Sequence, residues 1–226
     1  MPVSPRRPAS LAFAALASAT LVFATSCGTS AAPRPPAAPA FTATLTTPTD
    51  VVLHWPTDPA AAGYLLEYAN AAEGPWTALQ YLPPGQTSYT HPNLIPETPF
   101  YYRVRSFTGP VSTVTTVGAP HARHPGTAAP VAVGQAGSAP GDLAATAAAD
   151  QNVQFSWTDH STDEAGFLLE IRRPGTSDFA PVEVTDPNAT QCALSLLPGE
   201  QGSAFRLRAL AYGPLSAVVE RTTGKG

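Results

Sequence analysis

From Phe41 onward, apolar and polar residues alternate in short runs broken by turn residues, the period-two signature of half-buried β-strands. Phe41–Leu45 is a first run. Asp50–Trp55 places Val51, Leu53 and Trp55 on one face, and Gly63–Tyr68 does the same with Tyr64, Leu66 and Tyr68. Gly74-Pro75-Trp76 opens another strand, Thr87–His91 a further one, and Phe100–Arg105 a long one. A last strand is expected beyond the Gly109-Pro110 turn, through Val111, Thr113 and Thr115.

The pattern then returns. Leu143 answers Phe41 and Trp157 answers Trp55, each 102 positions on; from Gly166, which answers Gly63, the offset is 103. At that offset Glu170 matches Glu67, Phe179 matches Trp76, Cys192 matches Tyr89, Leu197 matches Leu94, and Arg206-Leu-Arg208 matches Arg103-Val-Arg105. A register held this long with one loop insertion marks duplicated modules. The expected domains are residues 40–118 and 139–226, joined by a Pro/Ala/Gly linker at 119–138 and each able to fold alone. Trp at the end of the second strand, Gly-aromatic-Leu-Leu-Glu in the third, then Leu-x-Pro and Arg-Val-Arg resemble fibronectin type III domains, twice over. The resemblance implies an all-β chain of two immunoglobulin-like sandwiches, with the third strand and the Arg-bearing strand in one sheet. One departure falls at the corner tyrosine of that family, which is Phe100 in the first module and Ser203 in the second.

The N-terminal residues read as targeting rather than fold. Arg6 and Arg7 precede the uncharged apolar run Leu11–Ala24, too short for a comfortable membrane span but suited to a signal peptide over 1–26. Ala24-Thr25-Ser26-Cys27 resembles a bacterial lipobox, with Ala24 where Leu is usual. It implies acylation of Cys27, a Pro/Ala tether over 27–39 and a lipid-anchored place in the cell envelope, at the outer membrane or cell surface. Ordinary cleavage, giving a secreted or periplasmic protein, is the alternative. With Cys27 acylated, Cys192 has no disulfide partner and reads as a buried, inert thiol.

Composition narrows the function classes. Charged residues are 12% of 226, the formal net charge is −4 and no basic run occurs, which argues against a nucleic-acid partner. There is no phosphate loop, nucleophile elbow or zinc-type cysteine set, so no catalysis, metal or cofactor is expected. His121-x-x-His124 lies in the expected linker without a third ligand. Asp159, Asp163 and Glu164 form an acidic loop whose simplest reading is a turn with its own backbone bonds.

Alternation turns Leu65, Glu67, Tyr101, Arg103, Arg105 and Phe107 outward. Glu67 can pair with Arg103 or Arg105, and Glu170 with Arg206 or Arg208, as surface ladders of small worth. Tyr101, Arg103, Arg105 and Phe107 also form a candidate binding face, since aromatic and Arg side chains are enriched at hot spots. The chain ends soon after the last strand, so spacer duty toward another module of the same polypeptide is not expected. The functional expectation is a non-catalytic envelope lipoprotein whose modules contact a protein or glycan. A passive structural or spacer protein of the envelope without a defined ligand is the alternative.

Overall fold

The computed structural model describes residues 40–117, 137–148 and 151–226. The expected signal segment, tether, Cys27, His121 and His124 lie outside them. Among the described residues every regular element is a strand, and no helix is long and apolar enough to cross a membrane.

The first repeat supplies β1 (Thr42–Thr47), β2 (Asp50–His54), β3 (Gly63–Ala69), β4 (Thr77–Leu82), β5 (Ser88–His91) and β6 (Pro99–Thr108). One sheet runs β1-β2-β5, and the facing sheet contains β6-β3-β4. The alternation seen in the sequence is what closes them. Val51, Leu53, Trp55, Tyr64, Leu66, Tyr102 and Val104 all point into one core, and Trp55 meets Tyr64 edge-on at 5.7 Å.

The second repeat supplies β8 (Gly141–Ala147), β9 (Asn152–Thr158), β10 (Phe167–Arg172), β11 (Ala180–Thr185), β12 (Gln191–Ser195) and β13 (Ala204–Ala209). These form β12-β9-β8 against a sheet containing β11-β10-β13. Trp157 lies edge-on to Phe167 at 5.5 Å, in a core with Phe155, Leu169, Ile171, Phe205 and Leu207. Both are antiparallel β-sandwiches, with the third strand beside the Arg-bearing strand as the resemblance implies.

The seventh strands are exchanged. β7 (Thr115–Thr116) pairs with β13, while β14 (Ala211–Leu215) and β15 (Val219–Thr222) both pair with β6. The chain does not turn back at Gly109. Residues 99–116 continue straight on, antiparallel to 204–222, through Pro99↔Thr222, Thr108↔Ala211, Val111↔Arg208 and Ala204↔Thr116. Gly109 marks the crossing. Its φ of +128° suits Gly alone, and a Cβ there would strike the Ala209 carbonyl.

A second repeat explains why the exchange is symmetric. Gly109-Pro110-Val111-Ser112 recurs as Gly213-Pro214-Leu215-Ser216, 104 positions on. Ser112 N–H donates to Leu207 O at 2.8 Å, and the Leu207 N–H donates to Ser112 Oγ at 3.0 Å. Ser216 makes the same two bonds to Val104, at 2.8 and 3.0 Å. Val104 and Leu207 are equivalent positions, so each serine docks on the other repeat's strand.

This corrects the expected organisation. The segment after Gly109-Pro110 does not complete the first sandwich, and the second-module boundary at 139 omits its seventh strand. In the fold, the second sandwich is built from the described residues between 110 and 210, beginning with its seventh strand. The first is built from 40–109 together with 211–224. The described residues flanking the expected linker both lie on the second sandwich: Val117 packs on its core, and Gly137 N–H donates to Asp163 Oδ1 at 2.8 Å.

A small third core seals the crossing. Phe107, Leu168 and Leu210 are fully buried there, with Ala62, Tyr81, Val184 and Tyr212 packed around them. Tyr81 and Tyr212 join hydroxyls at 2.5 Å. Gly63 is required at this point, since a Cβ would overlap the Phe107 ring.

Candidate functional site

On β6 the residues expected to form a binding face are spent on structure. Antiparallel pairing sets Arg103 opposite Glu67 and Arg105 opposite Leu65. Arg103 grips Glu67 bidentately, Nε to Oε2 at 2.9 Å and an Nη2 bond to Oε1 at 3.1 Å, and its guanidinium lies 4.1 Å from the Trp76 ring centre. Arg105 stands 3.8 Å from the same carboxylate and stacks on Tyr212 at 3.7 Å. Tyr101 is half-buried on the rung opposite Glu220. Phe107 is 0% exposed in the junction core, so no partner can reach it. Leu65, also expected outward, is buried as well. The face is not the open aromatic-Arg patch that alternation alone suggested, because the crossing covers its end.

The second module repeats the ladder more tightly. Glu170 accepts from Arg206 Nε at 2.6 Å and from Arg208 Nη2 at 3.1 Å, while Arg208 Nη1 donates to Gly109 O at 2.7 Å. Arg206 lies 4.2 Å from the Phe179 ring centre. Burial pulls the Arg208 guanidinium below its ordinary value, and the Glu170 carboxylate offsets part of that fall. Glu67 and Glu170 are only 7% and 2% exposed. These are buried ion pairs, not the surface ladders expected. Removing one partner strands a charge in a poor solvent, at a cost of about 3–5 kcal/mol.

The acidic loop is held by its own backbone. Asp159 Oδ1 accepts the Ser161 N–H at 2.9 Å. Asp163 Oδ1 accepts Ser161 Oγ at 3.1 Å and the Gly137 N–H at 2.8 Å. Glu164 Oε1 accepts the Asn188 N–H at 3.0 Å. Asp159 thus closes its own loop, while Asp163 and Glu164 also tie that loop to residues 137 and 188. Among the described residues no group of three His, Cys, Asp or Glu is placed to hold a metal. Cys192 is half-buried; burial, helped by the Glu183 charge, pushes its thiol up to about 11, which suppresses nucleophilic reactivity near neutrality.

What sequence reasoning missed is a cleft between the sandwiches. It is a half-open cleft of about 800 Å³, within the size range of ligand sites. Pro83, Pro84 and Gln86 line it from the turn after β4, and Asp178, Phe179 and Arg206 from the second module. These residues lie far apart in sequence, and only the crossed strands bring them together. The available signal was the apolar character of Phe107, Leu168 and Leu210 at outward positions, which marked a covered face.

No protein-family model matches the sequence, and no curated protein matches it either. Among solved structures, the chain is similar to a Fn3-like protein from Clostridium thermocellum, at 26% identity over 30% of this chain and 75% of that one, with a TM-score of 0.27. It is also similar to a two-domain fibronectin type III segment of chicken tenascin, at 15% identity over 83% of this chain and 99% of that one, with a TM-score of 0.29.

Proposed function

We propose that this is a non-catalytic envelope protein, lipid-anchored through Cys27, whose two crossed sandwiches act as one binding head for a protein or glycan. The observation that carries the reading is the cleft between the modules. Its walls come from both sandwiches, and its lining mixes prolines and an aromatic ring with amide, carboxylate and guanidinium groups. Such a lining suits a polar, extended ligand such as a glycan chain or a peptide segment. A passive spacer needs modules joined end to end and gains nothing from a shared wall. The carboxylates and the thiol that could suggest chemistry are committed to loop bonds or suppressed by burial, which also favours binding over turnover.

The test uses the whole protein immobilised against purified envelope glycan fragments and envelope proteins. Gln86→Arg with Asp178→Arg fills the cleft from both walls without touching either core. Binding that is lost in this variant at an unchanged melting temperature supports the reading. Absence of any ligand whose capture depends on the cleft favours the passive structural alternative. Anchoring is tested separately: Cys27→Ser should release the protein from membranes, and a wild type that takes up no labelled fatty acid removes the lipoprotein reading.

A further inference from the structure

The C-terminal segment 211–224 is a strap laid on the first sandwich by a different module. It pairs with β6 through β14 and β15 and adds bonds at the margins of that sandwich. Ser216 pairs with Val104, Thr223 N–H donates to Thr98 O at 3.1 Å, and Gly224 N–H donates to Pro48 O at 2.8 Å. The Thr223 hydroxyl donates to Ile95 O at 2.6 Å and accepts the Thr98 N–H at 2.9 Å, closing the corner where Phe100 lacks a hydroxyl. Thr223 is buried, but most of β14 and β15 is exposed, with Val219 and Tyr212 only partly covered. The pairing with β6 is also interrupted between Tyr212 and Leu215. The strap is thus held by directional backbone bonds to β6 and its flanks more than by buried apolar surface.

We propose that the groove along β6 is a strand-acceptor site for a second copy of this chain. Segment 211–224 of one copy docks on β6 of the other, and the reverse, forming a closed two-fold pair. Three observations carry this. The acceptor already takes a strand delivered by a separate folded body, so docking does not depend on a hairpin from β6 itself. The same Gly-Pro-x-Ser docking unit is used in both directions within one chain, so the contact is self-contained and transferable. The strap leaves the second sandwich at Leu210–Ala211, after that sandwich's last strand, so exchange needs that one crossing to redirect while the two sandwich cores keep their own strands.

Every strap contact made within the chain is remade between copies, which is why exchange of identical elements is a low-cost route to dimers. Against it stands the tether, which gives the chain's own strap an effective concentration on the order of mM. Exchange is therefore favoured where copies fold side by side at high local density.

Tyr101 and Glu220 face each other across the strap pairing, as do Pro99 and Thr222. Two tagged full-length copies, one Tyr101→Cys and the other Glu220→Cys, are co-expressed and oxidised, and linked peptides are mapped. A 101–220 link between the two tags, in a species of twice the monomer mass, is the expected result. The link should be absent when either variant is expressed alone. The doubly substituted single chain controls for folding by linking within itself, and Pro99→Cys with Thr222→Cys repeats the test on another rung. A mixture with no interchain link at either rung, while the double variants close internally, overturns the proposal.

Discussion

The two sandwiches share a strand pattern and a core design but differ in how the chain closes them. The second takes all its strands, β7 to β13, from between residues 110 and 210. The first stays open until residues 211–224 arrive from beyond the second. Both cores bury an equivalent tryptophan against an equivalent aromatic ring, so core packing alone would make them equals. The difference teaches that dependence on the rest of the chain is set by connectivity. The first module needs the second to present its last strand. For its own strand set, the second needs only that the chain be opened at its two ends.

Truncation after Leu210 tests this most severely. The first sandwich loses its strap, the β6 edge is exposed and Thr98 loses the Thr223 hydroxyl. Loss of the first module's cooperative unfolding transition is expected, with the second module's retained. Residues 110–210, beginning with their own seventh strand, should give one transition by calorimetry. The segment 139–226, which the repeat alone would choose as the second domain, should be less stable because it omits 110–117. If 139–226 outlasts 110–210 on heating, the exchanged arrangement is not the stable one.

Within each core the effects should be equal. Trp55→Ala and Trp157→Ala should each cost about 3–5 kcal/mol in their own module, from lost burial and the cavity left behind. Against a typical total of about 5–15 kcal/mol, either change threatens its module. Because both modules share the Phe107–Leu168–Leu210 core, loss of one should also lower the melting temperature of the other. Two transitions that move independently would mean that the junction contributes little.

The sandwiches themselves were legible from the residues. Alternation over Val51–Trp55 and the 103-residue register located the strands, both cores and the Glu–Arg pairing. The crossing was not, and the reason is physical. Gly109-Pro110 is as compatible with a hairpin as with a straight crossing, and the two Gly-Pro-x-Ser segments are nearly interchangeable, so either could serve either module. Local pattern cannot decide between partners of equal fit. The deciding terms are long-range: burial of Phe107, Leu168 and Leu210 together, and the Tyr81–Tyr212 bond. The candidate face failed at Phe107 for that reason. In the acidic loop the Asp159 and Asp163 bonds to Ser161 are local as expected, but the bonds of Asp163 to Gly137 and Glu164 to Asn188 are long-range.

The buried ion pairs sharpen the contrast at intermediate size. Arg208 bonds both Glu170 and the Gly109 carbonyl at the crossing, whereas Arg105 only approaches Glu67, at 3.8 Å. Arg208→Ala should cost about 3–5 kcal/mol, leaving a buried carboxylate short of a partner. Arg105→Ala should cost about 1 kcal/mol or less, as for a pair that is poorly formed and better solvated. Denaturant melts of the two variants decide it. Equal losses would show that the second ladder is no tighter than the first.

The smallest expected difference is in pH response. His91 sits among Tyr68, Phe100 and Tyr102, with Nδ1 3.2 Å from the Tyr102 hydroxyl, and burial lowers its pKa from the ordinary 6.5. The equivalent position in the second module is Leu194, which does not titrate. Between the folded and unfolded values the unfolded chain binds more protons at this site, so stability rises with pH there. The contribution is complete above pH 6.5, falls as pH drops through that value and levels off below the folded pKa. The first module should therefore lose stability on mild acidification through its imidazole. His91→Leu, which copies the second module, should flatten that part of its pH profile. A wild-type slope below pH 6.5 that survives the substitution unchanged would assign the loss to other groups.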